Sequence, residues 1–110
     1  MFAGHIGVAL ALGRAERRVN PGILILAALW LDLVLWLLVL LGCETVTIPA
    51  DYASTHLLAF VFPYSHGLLA ASVWAGLAGI AAWLSYRRLG QGTAWAALWV
   101  TLAVFSHWLL

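Results

Sequence analysis

The sequence predicts an all-α membrane protein, a small bundle of three transmembrane helices with a short, partly inserted N-terminal helix. Three observations predict it. Of the 110 residues, 65% are hydrophobic and only 8% charged, against about 45–50% and about 25% in soluble domains. The apolar residues gather in four segments separated by short polar connectors. All five basic residues are arginines confined to two of those connectors. So few charges cannot cover a small soluble fold, and the composition equally argues against a disordered chain or a nucleic-acid binder.

The segments form one domain over residues 1–110. The first, about 2–13, is too short to cross a bilayer, which takes about 20 residues. It also lacks the preceding basic stretch and the cleavage site of a secretory signal. The second, about 22–42, is long enough to span. The third, about 57–86, starts between His56 and Ser65, with Pro63 marking its first turn or a kink. The fourth covers about 93–110. Strands are not expected, because a lone hairpin leaves backbone groups unpaired in lipid.

The charges orient these spans. Arg14, Arg17 and Arg18 separate the first two segments, and Arg87 and Arg88 the last two. The connector 43–62 carries only Glu44 and Asp51. Basic loops stay on the cytoplasmic side. The expected location is therefore the inner membrane, arginine loops inside and the connector outside. Two rows of small residues, Ala3-Gly7-Ala11 and Ala71-Ala75-Gly79, predict seams of close helix packing. Cys43 is alone, so no intrachain disulfide forms.

The informative residues are the polar ones inside apolar segments: His5, Asp32, His66 and His107. A mid-span carboxylate costs about 2.5–3.5 kcal/mol on insertion scales and normally faces a partner in the bundle interior. Two strings, Tyr64-Ser65-His66-Gly67-Leu68-Leu69 and Phe105-Ser106-His107-Trp108-Leu109-Leu110, share the pattern aromatic-Ser-His-x-Leu-Leu. They fall at similar depth on the outer side. Each of the four polar residues also has an alanine one helical turn away, at Ala9, Ala28, Ala70 and Ala103, on the same face.

Imidazoles and a carboxylate together suit zinc or a similar divalent ion. Ser65 and Ser106 are candidate hydrogen-bond donors behind the ligands. As neighbours on a helix, each serine points away from its histidine, which sets aside a Ser–His nucleophile. In the connector, Glu44, Asp51, Tyr52 and His56 are candidates for a lid or a partner contact, or for an ordinary solvated loop.

Gly4-His5 in a short first helix, Asp32 in the second, Ser65-His66 and the terminal Ser-His-x-Leu-Leu resemble the membrane-bound metal-dependent hydrolases of the YdjM-like group, from about residue 3 to 110. The resemblance implies a small inner-membrane helical protein with His5, Asp32, His66 and His107 as metal ligands toward the outer surface. This chain departs from the group twice. Asp32 stands alone where the group has Pro-Asp-x-Asp, and the chain ends at Leu110 where an aspartate usually follows. Both departures predict a truncated or degenerate member. The competing expectation is a non-catalytic subunit of a larger membrane complex, in which His66 or His107 contacts a haem or chlorophyll. A small transporter or channel is a weaker third reading, for want of pore-lining polar groups.

Overall fold

The computed structural model describes residues 2–90 and 92–110. It contains six helices and one two-stranded sheet: α1 (Phe2–Ala15), α2 (Pro21–Ala28), α3 (Trp30–Leu40), β1 (Thr45–Thr47), α4 (Tyr52–Thr55), β2 (Ala59–Val61), α5 (Leu68–Arg88) and α6 (Thr93–Leu109). This corrects the expected bundle of three transmembrane helices. Among the described residues only α5, with 21 residues, is long and apolar enough to cross a membrane. A second span exists only if the bent α2–α3 pair is counted as one. The shorter helices α1 and α6 are apolar as well.

Two local features interrupt the expected spans. The second segment breaks at Leu29, where α2 and α3 meet at 47°. Neither proline nor glycine stands there. Instead the Ala28 carbonyl, which an unbroken helix would give to the Asp32 N–H, accepts a hydrogen bond from His107. A side chain entering the helical ladder is a recognised cause of a kink.

The third segment fails as a helix before Leu68. Its first part, Ala59–Val61, pairs antiparallel with Thr45–Thr47, so that Val46 faces Phe60. Pro63 then disfavours helical backbone at Phe62. The strands that were not expected carry a legible signal in retrospect: Thr45-Val46-Thr47-Ile48 alternates polar and apolar and is entirely β-branched.

Helix α5 packs most extensively on α6, and α2 packs on both α1 and α6. Ala71, Ala75, Gly79, Ala82 and Tyr86 form the buried face of α5. At Gly79 the two helices come so close that a Cβ would fall on the Thr101 hydroxyl. On the opposite face, Leu69, Val73, Leu77, Ile80 and Leu84 point outward. The first row of small residues behaves differently: Ala3, Gly7 and Ala11 are exposed, and α1 buries His5 and Ala9 instead.

Asn20 caps α2 by accepting the Gly22 N–H at 2.8 Å, with Pro21 in the first turn, where its missing N–H costs nothing. The Asn20 N–H reaches the Tyr86 hydroxyl at 3.4 Å. That contact brings the loop after α1 to the C-terminal end of α5 and gathers the arginines at one end of the molecule. His66, just ahead of α5, marks the other end.

Candidate metal centre

Four elements bring the sequence-selected residues together. His5 comes from the first turn of α1, Asp32 from the first turn of α3, His66 from the turn before α5, and His107 from the last turn of α6. His66 Nε2 lies 3.2 Å from His107 Nε2. Asp32 Oδ1 lies 3.5 Å from His66 Nε2 and 3.3 Å from His107 Nε2. The His5 ring stacks on His107, centroids 3.8 Å apart and planes within 7°. Donor atoms of His5, Asp32 and His107 all lie within 4.8 Å of one another, close enough to hold a metal ion.

Three of the four alanines noted beside these residues lie in the buried core. Ala9, Ala28 and Ala103 have no exposed surface, and Ala70 is half-buried. With only a methyl group at each position, α1, α2 and α6 approach closely enough for the imidazoles to stack and for His107 to reach the Ala28 carbonyl.

Hydrogen bonds on the far side of each ring decide what faces the centre. The Ala28 carbonyl can only accept, so His107 Nδ1 carries the proton of that 2.7 Å contact. In the neutral tautomer that this bond selects, Nε2 is bare. Behind His66, the Ser65 hydroxyl donates to Glu44 Oε2 at 2.8 Å. It then accepts from His66 Nδ1–H at 2.9 Å. His66 Nε2 is bare for the same reason. Burial, reinforced by His107, holds the His66 imidazole below its ordinary pKa range, against the opposing pull of Asp32 and Glu44.

Three acceptors, two imidazole nitrogens and a carboxylate oxygen, thus face one another at 3.2–3.5 Å. With both rings neutral no hydrogen lies among them, an arrangement that suits a cation. A tetrahedral ion with bonds of about 2.0–2.1 Å separates its donor atoms by about 3.3–3.4 Å. The observed triangle has that size. His5 Nδ1 is buried without a hydrogen-bond partner, so this ring has a nitrogen uncommitted to the protein.

The centre opens to a cleft of about 400 Å³ lined by Phe2, Phe62, Trp108 and Leu110 beside the four polar residues. The Asp32 side chain is 38% exposed and that of His107 only 4%, so the carboxylate lies on the open side and His107 at the base.

Two further expectations meet the structure differently. Ser65 touches His66 because both lie in a turn rather than on a helix, which overturns the geometric reason for keeping them apart. Its proton is committed to Glu44, so it remains an orienting group. Ser106 donates to the Ala103 carbonyl of its own helix at 2.8 Å and has no hydrogen bond to the four residues.

Glu44, in the connector, is 2% exposed and stands directly behind the site. Its place was not legible because the hairpin that carries it was not expected. Asp51, Tyr52 and His56 are exposed in and around α4 and contribute nothing to the centre. No family model, curated protein or solved structure matches the chain.

Proposed function

We propose that this chain is a membrane protein that binds a divalent ion, zinc by its donor set, and acts as a metal-dependent hydrolase. The observation that carries the reading is the triangle of acceptors formed by His66, His107 and Asp32. Imidazole nitrogen and carboxylate oxygen suit zinc, and His5 supplies a fourth donor within reach. Held by three of these four donors, a zinc ion would keep one position for water and bring that water's pKa down to about 7.

The chain's own residues divide the remaining work. His107, locked by Ala28 and covered by His5, is the rigid base. Asp32 and His66 border the cleft, where a substrate would arrive. Phe62, Trp108 and Phe2 give that cleft apolar walls. The resemblance to YdjM-like hydrolases points to the same four ligands. A haem or chlorophyll fits less well, because one face of His107 is stacked on His5 and its Nε2 is crowded by Asp32 and His66.

The membrane setting is supported by α5 and by the outward leucines on it. On this reading the arginine end faces the cytoplasm, the metal centre opens on the outer side, and the bilayer and other membrane subunits are the partners.

The deciding experiment is metal analysis of the purified full chain with and without Asp32→Ala, alongside zinc-dependent hydrolysis of a chromogenic ester. Bound zinc and ester turnover that are both lost in the variant support the proposal. A wild-type protein that binds no divalent ion overturns it, and binding without zinc-dependent hydrolysis overturns the enzymatic part.

A further inference from the structure

We propose that Glu44 is a positioning residue that sets the tautomer of His66 through Ser65 and thereby makes His66 Nε2 available as a ligand. The role in ligation rests on the metal-site reading above; the role in tautomer choice stands on the hydrogen bonds alone.

Every contact of the Glu44 carboxylate is donated to it. Oε1 accepts the Tyr64 N–H at 2.9 Å and the Ser65 N–H at 2.8 Å. Oε2 accepts the Ser65 hydroxyl at 2.8 Å. With its proton pointed at Glu44, Ser65 Oγ offers only lone pairs to His66 Nδ1, 2.9 Å away. His66 must then carry a proton on Nδ1, and in the neutral ring Nε2 faces Asp32 and His107 unprotonated. Which ring nitrogen is free is set by the bond made by the other.

The direction of this chain of bonds depends on Glu44 having no proton to give. Glu44→Gln tests that dependence with almost no change in shape. The two backbone N–H groups require the amide oxygen at the Oε1 position, so the NH2 group falls at Oε2. It would donate to Ser65, whose hydroxyl proton would turn toward His66 Nδ1. The His66 proton would then move to Nε2, the nitrogen that faces the site, and ligation through it would be blocked.

The experiment reads two signals from the full chain in detergent. Nitrogen-15 spectra of the zinc-free protein report the His66 tautomer, and zinc titration reports affinity. Wild type is expected to show protonated Nδ1. Glu44→Gln is expected to show protonated Nε2 and a zinc affinity about 10–100-fold lower, the range seen when a partner behind a metal ligand is lost. Adding Ser65→Ala to Glu44→Gln removes the misdirected hydroxyl, so the double variant is expected to bind zinc more tightly than Glu44→Gln alone.

A merely structural role for Glu44 predicts no such recovery. The proposal is overturned if wild-type His66 is protonated on Nε2, if Glu44→Gln leaves the tautomer unchanged, or if the second substitution restores nothing. Should the wild type bind no zinc while the tautomer still switches, the metal reading fails and the control of His66 by Glu44 survives. The wild-type spectrum tests the tautomer even if a variant does not fold.

Discussion

His107 donates its Nδ1–H to the carbonyl oxygen of Ala28 at 2.7 Å, joining the end of α6 to the point where α2 gives way to α3. The one bond holds the ring that forms the base of the centre and occupies a carbonyl that would otherwise continue the helix. Break and ligand are therefore parts of the same local structure. His107→Phe keeps an aromatic ring but removes both nitrogens. It is expected to abolish zinc binding in a calorimetric titration, and zinc binding at wild-type affinity would refute this role.

Zinc affinity should depend on pH through the imidazoles. Ligation requires them unprotonated, so protons compete with the ion. Affinity is expected to be highest at neutral and alkaline pH and to fall as the pH drops through and below about 6.5, the usual histidine range. Because burial lowers the His66 pKa, this ring remains neutral to a lower pH than a free imidazole, which delays the loss. Zinc titrations between pH 8 and pH 5 test the trend. A pH-independent affinity would mean that histidines are not the ligands.

Removing the Glu44 side chain is a harsher change than altering its polarity. Glu44→Ala strands the Tyr64 and Ser65 amides and the Ser65 hydroxyl, in surroundings where an unpaired donor costs about 1–3 kcal/mol. The turn before α5 should loosen. Amide hydrogen exchange at Tyr64 and Ser65 is expected to accelerate, with α5 beyond Ala71 little changed. Unaltered protection at both amides would contradict the assigned bonds.

Gly79 tests the helix packing on which the centre depends. Gly79→Leu puts a branched side chain where even a Cβ meets Thr101. Overpacking of this kind costs about 1–3 kcal/mol, and a lowered midpoint in thermal unfolding is expected. Ser106→Ala serves as the contrast. Its hydroxyl bonds only within α6, so both stability and zinc affinity should stay near wild type.

Cys43 is exposed and is the only cysteine in the chain, so it can report which side of a membrane the hairpin end occupies. With the arginine end inside, a membrane-impermeant maleimide is expected to label Cys43 from outside in intact cells. Labelling only after the membrane is opened would reverse the proposed orientation.

Much of the site was legible because its residues are chemically out of place. A carboxylate and three histidines inside apolar segments are conspicuous by cost alone, and the four meet. Ala71, Ala75 and Gly79 were equally readable as a buried row, since spacing on a regular helix is a local property. The equivalent reading failed for Ala3, Gly7 and Ala11. Small residues permit close packing without requiring it, and here the opposite face of α1 carries His5.

By itself, then, the sequence determined the helical, strongly apolar character of the chain, the confinement of the arginines to two connectors, and the presence of four polar residues, His5, Asp32, His66 and His107, inside apolar segments. These follow from composition and local periodicity. Only the tertiary structure decided that the second segment breaks at Leu29, that Ala59–Val61 turns back as a strand, and that Glu44 is buried behind His66. Each depends on a partner far away in the chain: His107 for the Ala28 carbonyl, Thr45–Thr47 for the strand, and Ser65 for Glu44. Hydropathy measures how readily a segment leaves water. It carries no information about which distant group will claim a particular carbonyl, amide or carboxylate once the chain has folded.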